Sequence, residues 1–336
     1  MQIQNDVIGR KFGVTWLAPV VVTIVITGVL LVLPEWVSSW TVVMLSTIFM
    51  YMVLAISWTV FCGPTQYFSL GIAAFFGVGV YMASVIWEIW PEFPLLVVII
   101  MAGIASSFLA LLVGLTTLRI RGIYFAIFTF GLSELLRHFV MWWEVNKTGT
   151  VGRWIPIMDN NVVYRYMVVL AAVAILGSYI LRRSRFGLAM TSIGDGQEVA
   201  DHMGVNTTFV KITVFAATCF LTGVAGALIA TRWAYIDADV AFDPIRTVIT
   251  IMMSLFGGMS VLHGPIMGSV ILGLVSDVIL VKFPYLSRLF LGIILVITVL
   301  FIPEGIAGLI AGKKPTGIRD RLKNLRNIFF GTAKNE

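Results

Sequence analysis

The chain has 336 residues, of which 59% are hydrophobic and 12% are charged, and its mean hydropathy is +0.97. A soluble domain does not bury that much apolar surface, so the composition argues against a soluble enzyme and predicts an all-α polytopic membrane protein in a lipid bilayer. The net charge of +6 comes mostly from basic residues beside apolar runs, which gives no support to a nucleic-acid partner.

Ten apolar runs are candidates for membrane spans, for which a helix needs roughly 20 residues. The first run is too long for a signal peptide, and no small-residue cleavage site follows it, so we expect it to be retained. The ten predicted segments are 16–33, 40–61, 66–88, 94–117, 122–143, 162–181, 208–231, 245–260, 264–282 and 286–302.

The third and eighth segments do not have the sequence of simple helices. The third follows Gly63 and Pro64 and is rich in glycine, and the eighth is short and ends at Gly257 and Gly258. Irregular backbone is tolerated at membrane depth only where protein or a water-filled cavity covers it. We therefore predict broken or re-entrant pieces at these two places.

The charged residues near the ends of the segments predict the orientation, because Lys and Arg favour the cytoplasmic side. With ten spans, one side holds the basic residues Arg10, Lys11, Arg119, Arg121, Arg182, Arg183, Arg185, Lys211 and those between 313 and 326. The opposite loops are acidic. We expect a cytoplasmic N-terminal segment (1–15), one transmembrane domain (16–311) and a basic cytoplasmic tail (312–336) that lies on anionic headgroups.

The longest polar stretch inside the hydrophobic body is residues 182–208, on the predicted cytoplasmic side. Asp195 is placed to cap a helix, Glu198 completes a capping-box pattern, and Gly204 is placed to end the helix. The pattern predicts a helix of about two turns on a loop. A membrane protein builds such a helix mainly to contact another molecule.

The sequence lacks the motifs of an enzyme or of a self-powered pump. It contains no Gly-x-x-x-x-Gly-Lys-Ser/Thr phosphate loop, no catalytic triad or His-Glu-x-x-His arrangement, and no metal-ligand spacing. Cys62 and Cys219 both lie in apolar runs, which predicts buried thiols. We expect neither a catalytic residue nor a metal or cofactor on this chain.

Ionisable residues well inside the segments are few, which argues against an ion-coupled secondary transporter. Glu134, Arg137 and His138 share one face of the fifth segment, and Asp277 lies in the ninth. The first group is either a substrate contact or a locally satisfied pair near the outer interface. A non-transporting scaffold would explain the polar helix but not the glycine-rich breaks.

Four stretches in chain order resemble the LivM-type permease of bacterial branched-chain amino-acid ABC importers, from the second segment to residue 311. They are GPTQYFSLGIAAFFGVGVYMAS at 63–84, RIRGIYFAIFTFGLSELLR at 119–137, the segment 184–211, and the glycine-rich elements at 257–265 and 301–309. The resemblance implies a type II ABC-importer-like permease, dependent on a binding protein, in the bacterial inner membrane.

The resemblance also implies the partners: a second, LivH-like permease in a heterodimer, two cytoplasmic ABC ATPases that hold ATP and Mg, and a periplasmic substrate-binding protein. The loop 182–208 would carry the coupling helix. An apolar face of that helix would fill a groove on the ATPase. The residues implied in this contact are Asp195, Gln197, Glu198, Val199, Met203, Gly204 and Val205.

The implied substrate path follows the broken third segment, where freed backbone groups can hold a zwitterion or an amide. We expect it to involve the hydroxyl of Ser69 and the backbone of Ser69 and Gly71. Four more residues would line the approach: Tyr67, Phe68, Thr129 and Glu134. The implied cargo is a branched-chain or related small amino acid. The aromatic pair before Ser69 departs from the family pattern and keeps urea, short amides, aromatic acids and sugars as alternatives.

Overall fold

The computed structural model describes residues 17–118, 122–259, 261–283, 286, 289–290, 292–294, 296 and 305–310. These residues are mostly helical. The helices are α1 Leu17–Val32, α2 Ser39–Thr65, α3 Ile72–Ile89, α4 Leu95–Thr117, α5 Ile123–Thr148, α6 Asn160–Arg183, α7 Arg185–His202, α8 Thr207–Ala230, α9 Ala238–Ala241, α10 Pro244–Gly257, α11 His263–Lys282 and α12 Gly305–Ile310. Two short strands, β1 Arg153–Trp154 and β2 Tyr235–Ile236, pair antiparallel.

The helices follow the predicted segments closely. Within the described residues, seven helical stretches are long and apolar enough to cross a membrane, namely α2 to α6, α8, and α9 with α10. The helices α1 and α11 are apolar but shorter. Most of the predicted tenth segment, the N-terminal segment 1–15 and the tail 312–336 lie outside the described residues. A predominantly helical fold with several apolar helices long enough to span a membrane is confirmed, and the count of ten stays a prediction.

Helix α8 is the most buried of these spans, because 78% of its most apolar 18-residue stretch lies inside the protein. It packs against α3 and α4 through glycines that leave no room for a side chain. Gly223 lies against the backbone of Gly79, and Gly226 lies against the carbonyl group of Phe76. Small residues let helices approach closely in a membrane, where packing rather than hydrophobicity holds them together.

At one end of this bundle, the β1–β2 pair joins the loop after α5 to the loop after α8. Arg153 on β1 forms ion pairs with Glu88, at the end of α3, and with Glu144 on α5, whose carboxylate lies 3.5 Å from Nε. Glu144 is fully buried and also accepts a hydrogen bond from the N–H of Gly152 at 2.9 Å. These contacts fix the ends of α3 and α5 relative to each other.

Candidate functional site

The helical path is interrupted between Thr65, where α2 ends, and Ile72, where α3 begins. Gln66 turns the chain with φ of 57°, a left-handed conformation that is uncommon for a residue with a side chain. The residues that follow have no regular structure until α3. Residues 66–71, which we call the break, confirm that the third predicted segment is not a simple helix.

The backbone of the break is hydrogen-bonded to side chains of the same chain. The N–H of Leu70 donates to Oγ1 of Thr129 at 2.9 Å, and the N–H of Gly71 donates to Oγ of Ser69 at 3.3 Å. The carbonyl oxygen of Ser69 accepts from Nε1 of Trp58 at 2.8 Å. Irregular backbone within a membrane requires such partners. The groups that we expected to hold a substrate are therefore already bonded in this conformation.

A small cavity lies beside the break, between α2 and α8. Its volume is about 30 Å³, and its lining includes Ser57, Cys62, Ser69 and Cys219. Both cysteines are buried, as predicted. A cavity of this size holds about one water molecule. A transported solute therefore does not pass through this cavity as it stands.

The structure divides the six predicted substrate-path residues into two groups. Four are buried within the chain: Tyr67, Ser69, Gly71 and Thr129. The other two reach the surface, since Phe68 is 45% exposed and the side chain of Glu134 is 28% exposed. Helix α5 carries Glu134 and is the least buried of the long spans. Only 17% of its most apolar 18-residue stretch is buried.

The surface of α5 carries an ion-paired cluster. The guanidinium of Arg137 binds the carboxylate of Glu134 at 2.6 Å and that of Asp239, on α9, at 2.9 Å. The sequence predicts Glu134, Arg137 and His138 as either a substrate contact or a local pair. Asp239 was not predicted, because it is 102 residues from Arg137 and has no local signature.

The polar helix α7 bends at Gly196, whose φ of 175° and ψ of 103° are extended, so it consists of residues 185–195 and 197–202. The hydroxyl of Ser184 caps the first part by accepting from the N–H of Gly187 at 3.4 Å. The predicted N-cap at Asp195 is wrong, because this residue still belongs to the first part. The predicted end is confirmed, since Gly204 follows the helix with φ of 83°.

The second part of α7 presents two apolar side chains outward. Val199 is 67% exposed and Met203 is 80% exposed, as expected of a docking face. Val205 does not belong to this face, because it packs against the hydrophobic core. The side chain of Gln197 points inward as well. Asp195 and Glu198 are exposed.

Gln197 belongs to a polar network that sequence reasoning did not predict. The hydroxyl of Tyr67 donates to Oε1 of Gln197 at 2.6 Å. Lys211 Nζ donates to the same oxygen at 3.1 Å, to the carbonyl of Leu118 at 2.6 Å and to the Tyr67 hydroxyl at 3.3 Å. Lys211 is only 1% exposed, and its Nζ lies 4.6 Å from the centroid of the Tyr67 ring. A lysine inside the apolar run that forms α8 is the sequence feature that could have indicated this network.

Two further contacts join α7 to its surroundings. Nε2 of Gln197 donates to Oγ1 of Thr207 at 3.3 Å, and this hydroxyl donates to Oδ1 of Asp201 at 2.8 Å. Gly194 lies directly against the carbonyl group of Pro64, at the end of α2, with no space for a Cβ atom. Helix α7 therefore contacts Pro64, at the end of α2, and Tyr67, in the break.

Residues 40–299 match the family described as "Branched-chain amino acid transport system / permease component". The chain belongs to this family. It is 23% identical over 311 residues to the high-affinity branched-chain amino acid transport system permease protein LivM of Salmonella typhimurium, and the match covers 81% of this chain and 71% of that protein. The LivM protein of Escherichia coli gives the same values.

Sugar permeases are also among the relatives. The ribose import permease protein RbsC of Haemophilus influenzae is 28% identical over 189 residues, which cover 54% of each chain. No solved structure matches significantly. The LivM-type resemblance inferred from the motifs is confirmed, and so is a place in a transport system as the permease component.

Proposed function

We propose that this chain is one of two permease subunits of an ATP-driven ABC importer in the bacterial inner membrane, and that a LivH-like permease is the other. The observation that carries the proposal is the family match over residues 40–299 in a chain without a phosphate-binding loop. Two cytoplasmic ATPases supply ATP hydrolysis, and a periplasmic protein delivers the substrate. The chain itself binds neither ATP nor Mg.

We place both termini and α7 in the cytoplasm, with ten membrane segments in all. The distribution of Lys and Arg supports this orientation, because these residues are enriched in the cytoplasmic loops of membrane proteins. In this orientation, the exposed Val199 and Met203 face the ATPase. The break in the third segment then lies on the cytoplasmic side of the bundle, beside α7.

We place the translocation path on the exposed face of α5, where the second permease completes it. Ionised side chains are costly against lipid tails, so the surface with Glu134, Arg137 and Asp239 needs protein or water beside it. Phe68 lies on the exposed side of the break. The cavity beside Ser69 is too small for a solute, which also favours a path between two subunits.

We propose a branched-chain or related small amino acid as the substrate. The LivM relatives align over most of the chain, whereas the ribose permease aligns over 54% of it. Sugars, urea, short amides and aromatic acids remain the alternatives to be tested. A panel of these compounds, added to the binding protein that co-purifies with the importer, would show the substrate class as an increase in that protein's melting temperature.

The test of the assembly is purification of the tagged chain from native membranes. Two ATPases and a second permease should co-purify in fixed stoichiometry, and the complex in liposomes should take up substrate only with ATP and the binding protein. The chain alone should give neither uptake nor current. A purified chain that transports without an ATPase would replace this proposal with an ion-coupled carrier.

A further inference from the structure

We propose that Gln197, Tyr67 and Lys211 form a link that transmits movement of the polar helix α7 to the break. The inference rests on the proposed function, since it assumes that an ATPase moves α7. It assigns to Gln197 and Tyr67 a positioning role that no motif in the sequence indicated. The link joins the ATP-driven side of the importer to the irregular backbone at the start of α3.

Helix α7 holds the end of α2 and the start of the break at two adjacent points. Gly194 lies against the carbonyl group of Pro64, and Gln197 binds the hydroxyl of Tyr67 at 2.6 Å. Gly196, the bend in α7, lies between these two contacts. A movement of the second part of α7 therefore reaches the break through Gln197, while Gly194 keeps the first part on α2.

The link is buried around a cation. Lys211 is 1% exposed and donates to Gln197, Tyr67 and the carbonyl of Leu118. A buried ammonium group needs its hydrogen-bond acceptors, and their loss is costly. Tyr67 and Gln197 therefore do not separate freely, and displacement of one moves the other.

Movement of Tyr67 changes the geometry of the whole break. The residues after Tyr67 are held by Trp58 on α2 and by Thr129 on α5, through the carbonyl of Ser69 and the N–H of Leu70. A shift of Tyr67 relative to these fixed points alters the backbone between them. The break can thus change its shape without unfolding α2 or α3.

The experiment is hydrogen–deuterium exchange on the complete importer in lipid nanodiscs, before and after trapping the ATPases with ATP and orthovanadate. In the wild type, trapping should change exchange in the α7 peptide covering 197–203 and in the peptide covering 66–71. In Gln197→Met, the α7 response should persist, whereas the response of the break should fall about fivefold or more. No transported substrate is needed.

Tyr67→Phe provides a second variant that keeps the aromatic ring and removes only the hydroxyl, and it should reduce the response of the break in the same way. Tyr164→Phe is the matched control, because the Tyr164 hydroxyl is buried without a hydrogen-bond partner. It should respond like the wild type. A break that still responds fully in Gln197→Met and Tyr67→Phe would overturn the link.

The outcomes separate the link from the proposed function. If no ATPase binds the wild-type chain, both proposals fail. If the ATPases bind but trapping leaves α7 unchanged, the link is wrong and the proposed function stands. If α7 responds in the wild type but the break does not, the link alone is wrong. Unchanged exchange in α8 and α4 would show that a variant is folded.

Discussion

The Thr129 hydroxyl on α5 accepts a hydrogen bond from the N–H of Leu70 at 2.9 Å, which joins the exposed helix to the break. The same hydroxyl lies 3.0 Å from the carbonyl oxygens of Phe125 and Ala126, to which it can donate. A single buried side chain thus fixes the backbone of the break relative to α5. Since we place the translocation path on α5, this bond relates the path to the shape of the break.

Replacement of Thr129 by valine should reduce uptake and thermal stability. Valine keeps the shape of the side chain but leaves the N–H of Leu70 without its acceptor, which costs about 1–3 kcal/mol. Thr129→Ser keeps the hydroxyl and should behave like the wild type. The measurements are the melting temperature of the purified importer and its ATP-dependent uptake. The affinity of the binding protein for its ligand should not change.

The same reasoning applies to Ser69, whose hydroxyl accepts from the N–H of Gly71 at 3.3 Å. Ser69→Ala should lower uptake less than Thr129→Val, because the lost bond lies within the break and leaves its contact with α5 intact. Normal uptake in both variants would remove these residues from the transport mechanism.

The carboxylates of Glu134 and Asp239 offer a test of the path, because both bind the guanidinium of Arg137. Asp239→Asn should cost at most about 1 kcal/mol of stability, as expected for an exposed ion pair. It should leave uptake nearly unchanged, because Asp239 lies on α9 and not on the α5 face where we place the path. Glu134→Gln removes a comparable pair on the α5 face and should lower uptake several-fold more than Asp239→Asn. Equal effects in the two variants would mean that Glu134 is only structural.

The sequence was most informative where the signal is local. The glycines and proline around residues 63–71 predicted the break, and the position of Gly204 predicted the end of α7. The apolar face that the family resemblance implied on α7 is exposed at Val199 and Met203 but not at Val205. The break and the end of α7 depend on the backbone preferences of a few neighbouring residues.

The contacts that organise the candidate site could not be predicted, because they join residues distant in sequence. Tyr67 and Gln197 are 130 residues apart, and Tyr67 and Lys211 are 144 apart. Charge patterning grouped Lys211 with the cytoplasmic basic residues, whereas its side chain on α8 is buried in the polar network. The capping pattern at Asp195 was overridden by a longer helix that Ser184 caps.

Two glycines on α7 form a matched pair for testing its contact with α2. In Gly194→Ala, the new Cβ would overlap the carbonyl group of Pro64, which is backbone and does not move easily. We expect a loss of about 1–3 kcal/mol, typical of overpacking, together with reduced uptake. In Gly196→Ala, the nearest atom is a Val199 methyl group at 3.6 Å, so stability should be unchanged or slightly raised.

Chemical denaturation and uptake of the two glycine variants provide the measurement. A Gly194→Ala importer as stable and active as Gly196→Ala would show that α7 does not pack on α2 in the working protein. An equal loss in both would point to backbone flexibility of α7 instead of the contact with Pro64.

The outward side chains of Val199 and Met203 should decide whether the ATPase binds. Met203→Asp places a charge at a side chain that is 80% exposed, so the isolated chain should keep its stability within about 0.5 kcal/mol. A residue central to an interface contributes about 2 kcal/mol or more, so the co-purifying ATPase should fall at least tenfold. Val199→Asp should act in the same direction.

Leu188→Asp is the control, because this residue is 66% exposed but lies before the bend in α7. Retention of the ATPase in both Met203→Asp and Val199→Asp would show that the second part of α7 is not the docking face.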